Sequence, residues 1–252
     1  PVEKIIAYLR EGKSLPEACV GITIDDAYLS AYENAFPLLR ERGFPFTVFV
    51  ATDGVDRGFR DLMTWEQMRE MQGAGASFAG HGGSHAYLVR RGEGESEAEW
   101  AARVKADIES SRTRLREELD SRSRLFAYPY GEYDTALRKI VREMGLVVFA
   151  QQSGPIWTGS DYAALPRFPM ASSYAGMEQF TVKVRSLPLP VLSADPDDPL
   201  LPREVSLPRL RLSLAPGDYR KEAVACYADG QGRIGAEWME GEGLVLEVEA
   251  DE

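Results

Sequence analysis

Short β-rich runs and helix-patterned stretches alternate from the start of the chain to about residue 186, and this alternation restricts the fold more than any other feature. Ala18 to Ile24 is a β-rich run ending at Asp25 and Asp26, and a helical pattern follows from about Ser30 to Arg42. Phe44 to Ala51 is dense in β-branched and aromatic residues, as a buried strand should be. Thr64 is placed to cap a helix from Trp65 to about Gln72, with Gly73 near its end. Ser77 to Gly80 reads as a short strand leading into His81. Glu97 to about Leu119 is a long charged helix whose apolar Trp100, Val104, Ile108 and Leu115 fall near helical spacing. Leu125 to Tyr128 is a further strand, Asp134 opens a helix ending near Gly145, and Leu146 to Ala150 returns to strand. Neighbouring parallel strands need a crossover, usually helical, so alternation of this kind predicts an α/β fold with a largely parallel sheet. Periodicity does not distinguish a closed barrel from an open sheet.

From about Pro188 the texture changes. Residues 188–203 are rich in Pro and Asp and read as a linker, which makes 1–187 one domain. Beyond it, Leu207 to Leu214, Glu222 to Tyr227, Arg233 to Trp238 and Leu244 to Val248 look like short strands between Gly and Asp turns. Residues 204–252 are thus expected to form a small all-β appendage, too small to be robust alone. The formal net charge of −11 argues against nucleic acid and anionic membrane as partners. No apolar run approaches the roughly 20 residues of a membrane-spanning helix. The two cysteines, Cys19 and Cys226, are able to pair or to remain as buried free thiols. The chain opens on Pro1, so the lack of a visible signal peptide is no argument for the cytoplasm.

The chemistry is concentrated in three segments. The sequence has two histidines, His81 and His85, four apart in Gly-His-Gly-Gly-Ser-His, a spacing that suits two imidazoles on one metal. A pair of polar loop histidines is the plain alternative. A helical zinc-protease motif fails, because position 82 is Gly where that motif needs Glu. Asp25 and Asp26 end the first expected strand. Two adjacent carboxylates beside a cation can divide the work, one binding it and the other accepting a proton, whereas helix capping explains one Asp better than two. One carboxylate plus two imidazoles leaves coordination positions open, as a catalytic metal requires. The third segment is Tyr128-Pro129-Tyr130-Gly131, a tight turn at a strand end able to aim the backbone N–H of Tyr130 as an oxyanion donor.

Taken in order, these segments resemble the polysaccharide deacetylase family (carbohydrate esterase family 4, the NodB-homology domain). Ile22-Thr23-Ile24-Asp25-Asp26 resembles its Thr-Phe-Asp-Asp motif, His81 to His85 its His-x-x-x-His motif, and Tyr128 to Gly131 its Pro-Tyr-Gly turn; the likeness spans about residues 18 to 170. The resemblance implies a distorted (β/α) barrel of seven or eight strands, carrying here the small C-terminal all-β appendage. It implies metal-dependent removal of N-acetyl or O-acetyl groups from an acetylated polysaccharide, in the periplasm, the cell envelope or outside the cell. It also implies Asp25 as base, and Asp26, His81 and His85 as ligands of one divalent ion, zinc first, with cobalt or nickel as alternatives. Tyr130 would supply the oxyanion N–H.

Three departures from the family pattern bear on mechanism. Ala27 stands where Gly usually follows the Asp pair. Ala127 stands where an Arg usually partners the base; Arg167 is a candidate substitute, although a surface position is the default expectation for it. The late catalytic His has no counterpart, since both histidines are already used, and Phe149-Ala150-Gln151-Gln152 shows no acidic partner for one. The branch acting on poly-N-acetylglucosamine also departs in these late motifs, which makes an N-acetylglucosamine-type polymer the expected substrate. An O-acetyl esterase and a glycan-binding module that has lost turnover are the competing readings.

Overall fold

The structure is a computed structural model in which residues 1–17, 19–200, 209–228, 230–241 and 243–249 are described. The chain forms two compact units, Pro1–Ser186 and Leu187–Glu252.

The first unit is built on a five-stranded parallel sheet of β1 (Ile22–Ile24), β2 (Phe46–Val50), β3 (Ser77–Gly80), β4 (Leu125–Ala127) and β5 (Val147–Phe149). Each strand lies beside its predecessor in the chain, with Ile24 opposite Val48, Val50 opposite Gly80, Gly80 opposite Phe126 and Phe126 opposite Val148. Every crossover therefore steps the same way, the condition for a sheet to curl toward a barrel. The rings of Phe49 on β2 and Phe149 on β5 lie 5.5 Å apart. Three strand spacings in a flat sheet amount to roughly 14 Å, so the contact requires a strong curl. Among the described residues of this unit five strands are paired, and a parallel bridge from Phe149 to Leu165 marks the start of a sixth position.

Side chains alternate between the faces of this sheet as the pleat requires. Phe49, Ala79, Ala127 and Phe149 point inward and pack with Leu165. Val48, Val50 and Phe78 point outward against Met68 and Met71 of α4 (Trp65–Gly73) and Leu115 of α5 (Glu97–Leu119). Phe126 and Val148 meet Trp100, Val104 and Ile108 of α5 together with Leu137 and Val141 of α6 (Thr135–Glu143). The apolar stripe expected on the long helix is buried along its length and joins the two outer clusters. Local sequence sets the helix starts: Thr64 and Ser96 form capping boxes with Gln67 and Glu99, and Asp134 accepts the Leu137 N–H.

The helix expected over Ser30 to Arg42 begins as a wide π turn, Ala31–Ala35, and continues as α2 (Phe36–Glu41). Pro37 has no N–H to return to the preceding turn, and the irregularity sits against it. Two helices in the first sixty residues were not evident in the pattern, nor was the one that ends the unit. One is α3 (Thr52–Asp56), directly after β2. The other is α1 (Val2–Arg10), whose Val2 and Ile6 pack into the inner cluster while Glu3 approaches Ser77 and Ser123 at the strand starts. That helix closes the N-terminal end of the sheet and leaves the C-terminal ends of the strands for chemistry. A last helix, α7 (Met177–Arg185), ends the unit.

The second unit holds an antiparallel sheet in the order β10-β11-β7-β6, comprising β6 (Val191–Asp195), β7 (Arg209–Leu214), β10 (Ala236–Gly241) and β11 (Gly243–Glu249). A separate hairpin pairs β8 (Cys226–Ala228) with β9 (Gly232–Ile234). The linker expected over 188–203 is corrected in part, because Val191–Asp195 is a strand. Pro190 and Pro196 flank it, and proline is tolerated there because β6 lies at the sheet edge. The strand expected over Arg233 to Trp238 divides at Gly235, and the one expected over Glu222 to Tyr227 shortens behind a 3₁₀ turn, Lys221–Ala223. Ala18, Leu207 and Pro208, included in expected strands, lie outside the described residues. Both cysteines are free, and Cys19 is exposed rather than buried. Among the described residues no helix is long and apolar enough to cross a membrane.

Candidate metal centre and active site

The expected site residues all lie just beyond the C-terminal ends of β1, β3 and β4. At the end of β1 the chain takes two consecutive left-handed residues, Asp26 (φ 73°) and Ala27 (φ 61°). Left-handed backbone costs a non-glycine residue roughly 1–2 kcal/mol, so the surroundings must hold both in place. Ala27 is fully buried and its carbonyl accepts the Met63 N–H at 2.9 Å. This is the position where the resemblance expects Gly, and the positive φ is the physical reason for that expectation. Neither Asp caps the following helix, whose N-cap is Ser30.

His81, 1% exposed, follows β3 directly, and its backbone N–H donates to Val50 O. Its Nδ1 lies 2.8 Å from the Ala127 carbonyl. A carbonyl only accepts, so Nδ1 carries a proton, and Nε2 faces the Asp26 carboxylate 3.3 Å away. His85 Nε2 stands 3.0 Å from the same Asp26 oxygen and 3.3 Å from His81 Nε2. With the histidines protonated, hydrogen bonds from His81 and then His85 hold the Asp26 carboxyl well below the usual carboxylate range, against the upward pull of burial. With His81 neutral, its lone pair faces a carboxylate oxygen, which is repulsive without a cation between them. Two ligand atoms on one tetrahedral zinc, each roughly 2.0–2.1 Å from it, stand roughly 3.3 Å apart. The spacings of 3.0–3.3 Å therefore fit a shared ion, and among the described residues this trio is the group of acidic, His and Cys side chains able to hold one.

The loop carrying the histidines is shaped from α5. Asp107 accepts hydrogen bonds from the N–H groups of Gly83 (3.1 Å) and Ser84 (3.0 Å) and from the Ser84 hydroxyl (2.6 Å). A Cβ on Gly82 would lie 2.7 Å from that carboxylate, at a φ of +81°. Glycine is required there by both conformation and space.

Asp25 receives a two-pronged ion pair. Arg167 Nη1 donates to Oδ1 at 2.7 Å and Nη2 to Oδ2 at 2.8 Å. The same guanidinium donates to Thr23 Oγ1 and to the Ala150 carbonyl, and lies over the rings of Phe49 and Phe149. With side-chain exposures of 13% and 19%, Arg167 and Asp25 form an inward-facing pair. The expectation of a surface position for Arg167 is thereby corrected. Ala127, where the family's Arg would stand, is fully buried in the inner cluster, and the cation reaches the acid from the far side of the curled sheet.

Tyr130 lies in the turn after β4 with φ 60° and ψ 0°. Its ring meets His85 edge-on at 4.6 Å and stacks on Tyr87 at 3.7 Å. Desolvation, then the neighbouring Tyr87, push its phenol up from the usual value, so it is protonated at neutral pH. The turn is locked by Gly131, whose N–H donates to Tyr128 O and whose φ of +72° and close approach to Gln151 leave no room for a side chain. All five predicted site residues thus converge on one place.

A family model for polysaccharide deacetylase matches residues 12–149, more than half of the chain. The chain belongs to the polysaccharide deacetylase family. The match ends just short of Arg167, so the guanidinium on Asp25 lies beyond the family segment. The poly-β-1,6-N-acetyl-D-glucosamine N-deacetylase of Escherichia coli K12 is 25% identical over 207 residues, covering 67% of this chain. The chain spans about 30% of the length of that relative. Among solved structures, the deacetylase PplD of Streptococcus pyogenes superposes with a TM-score of 0.66 at 20% identity, covering 74% of this chain and 79% of its own. IcaB of Ammonifex degensii does so with a TM-score of 0.58 at 25% identity, covering 73% and 80%. The curled parallel sheet with outer helices is thus the deacetylase (β/α) fold.

Two residues around this site were not singled out from sequence as parts of it, Asp107 and Tyr87. Both lie outside the three motifs. The available signal for Asp107 was a lone acid on the inner half of a long helix, which sequence alone cannot separate from its many charged neighbours.

Proposed function

We propose that this chain hydrolyses N-acetyl groups of an N-acetylglucosamine-type polysaccharide. The observation that carries the proposal is the convergence of Asp26, His81 and His85 within ion-binding distance, beside a second carboxylate held in a fixed orientation by Arg167. A divalent ion bound by that trio, zinc in this reading with cobalt or nickel as alternatives, supplies Lewis acidity at the acetyl carbonyl.

Asp25 is the base. Water attacks the carbonyl carbon as Asp25 takes its proton, and the tetrahedral oxyanion is stabilised by the N–H of Tyr130. The carbon–nitrogen bond then breaks, the amine leaves with a proton, and acetate is released. No third imidazole exists in the chain, so Asp25 returning its proton is the simplest donor, with the protonated Tyr130 phenol as the second. Arg167 orients Asp25 through both oxygens and leaves their remaining lone pairs to accept. The name of the E. coli relative supports poly-β-1,6-N-acetylglucosamine as the polymer. Such a polymer lies outside the cytoplasm, which supports an activity in the periplasm, the envelope or the exterior.

The test separates the two aspartates. Asp25→Asn is expected to keep the metal and lose acetate release by at least about 10²-fold, since a positioned base contributes roughly 10²–10⁴-fold. Asp26→Asn is expected to lose metal first. Equal metal loss in both variants would refute the division of roles. Acetate release from O-acetylated xylan with none from N-acetylglucosamine oligomers would assign an esterase instead, and glycan binding without any release would assign a binding module.

A further inference from the structure

Tyr130 holds a left-handed backbone although its side chain is 43% exposed, so core packing does not impose that conformation. What touches it is a layered set of side chains from the loop after β3. The Tyr87 ring lies parallel to it, 3.7 Å between centroids and 6° between planes. The Arg90 guanidinium lies 3.5 Å from the Tyr87 ring centroid. Tyr130 already covers one face of Tyr87, so Arg90 covers the other. Arg90 also approaches the Glu132 carboxylate at 3.7 Å, two residues past Tyr130. His85, from the same loop, closes the remaining side by its edge-on contact. Residues 85, 87 and 90 thus grip residues 130 and 132 across two loops.

We propose that Tyr87 is a positioning residue, whose ring, backed by Arg90, fixes the Tyr130 backbone so that its N–H meets the oxyanion. The proposal rests on the reading of Tyr130 as the oxyanion donor. A sugar-stacking platform is the alternative role for such an aromatic, but both faces of Tyr87 are covered, and it has no face left to offer a pyranose. Stacked aromatic and guanidinium groups are rigid partners with few rotors, which suits them to hold a neighbour in an uncommon conformation.

The experiment compares zinc-loaded full-length wild type, Tyr87→Ala and Tyr87→Phe on an oligomer of β-1,6-linked N-acetylglucosamine, with bound zinc measured in each. Loss of an oxyanion donor costs roughly 10²–10³-fold, and a displaced donor retains part of its effect. Tyr87→Ala is therefore expected to lower kcat about 10- to 100-fold with KM within about twofold and zinc content unchanged. Tyr87→Phe, which keeps the ring, is expected to restore kcat to within about threefold. A Tyr87→Ala variant with wild-type kcat overturns the proposal and leaves the deacetylase reading intact. A rise in KM at constant kcat overturns it in favour of substrate contact, and loss of zinc or of folding in Tyr87→Ala overturns it in favour of a structural role. A wild type that releases no acetate removes the deacetylase reading and this proposal together.

Discussion

Arg167 is the residue on which the orientation of the proposed base depends, and four of its five N–H groups are engaged: two on Asp25, one on Thr23, one on a carbonyl. Lysine carries the same charge without the planar fork, so it cannot grip both carboxylate oxygens while also bonding Ala150. Arg167→Lys is expected to keep bound metal and to lower kcat about tenfold or more, read by acetate release against metal content. A variant within twofold of wild type would show that the charge alone suffices. Ala27 makes a second point at this scale. The chain accepts a left-handed alanine where glycine would be free of strain, and full burial with a backbone hydrogen bond to Met63 is what sustains it.

At the scale of elements, α5 does more than cover the sheet. It fills both outer clusters and, through Asp107, shapes the loop that carries the two histidines. Side chains that orient metal-binding groups typically alter affinity 10- to 100-fold when lost. Asp107→Ala is expected to weaken metal binding by about that factor, measured by competition with a chelator, while far-ultraviolet circular dichroism stays unchanged. The elements themselves were largely legible: Thr64 and Asp134 start helices by capping, and Ser77–Gly80 and Glu97–Leu119 follow from periodicity. So were the motifs, because Asp25-Asp26, His81-His85 and the Tyr130 turn are each continuous in sequence. What escaped is what folding brings together. Arg167, 142 positions from Asp25, could be named as a candidate partner but not placed inward, and Asp107 and Tyr87 act through space rather than through a motif. Strand β6 was hidden by its flanking prolines and α3 by its shortness, while α1 has no side-chain cap to mark its start.

The molecule divides at Ser186 and Leu187, and every residue assigned to the site falls in the first unit. The chain ending at Ser186 is therefore expected to bind metal and to release acetate from a short acetylated oligomer at a rate within about threefold of the full chain. Loss of turnover in a folded truncation would show that the second unit contributes to chemistry. Within the first unit, the curl of the sheet is what makes the site: Asp25 leaves the first strand, and its partner Arg167 comes from beyond the fifth.

The pairing of Asp25 with Arg167 has a consequence for how the protein is made. During synthesis the two aspartates and both histidines leave the ribosome long before position 167, so a nascent chain can carry the metal ligands while its base still lacks the guanidinium that aims it. Contacts of such long sequence separation form late, after the loops between them have been ordered. Hydrolytic competence is therefore expected to arrive after the metal ligands have been made, and a chain ending before residue 167 is expected to bind metal yet release acetate more slowly than the whole chain.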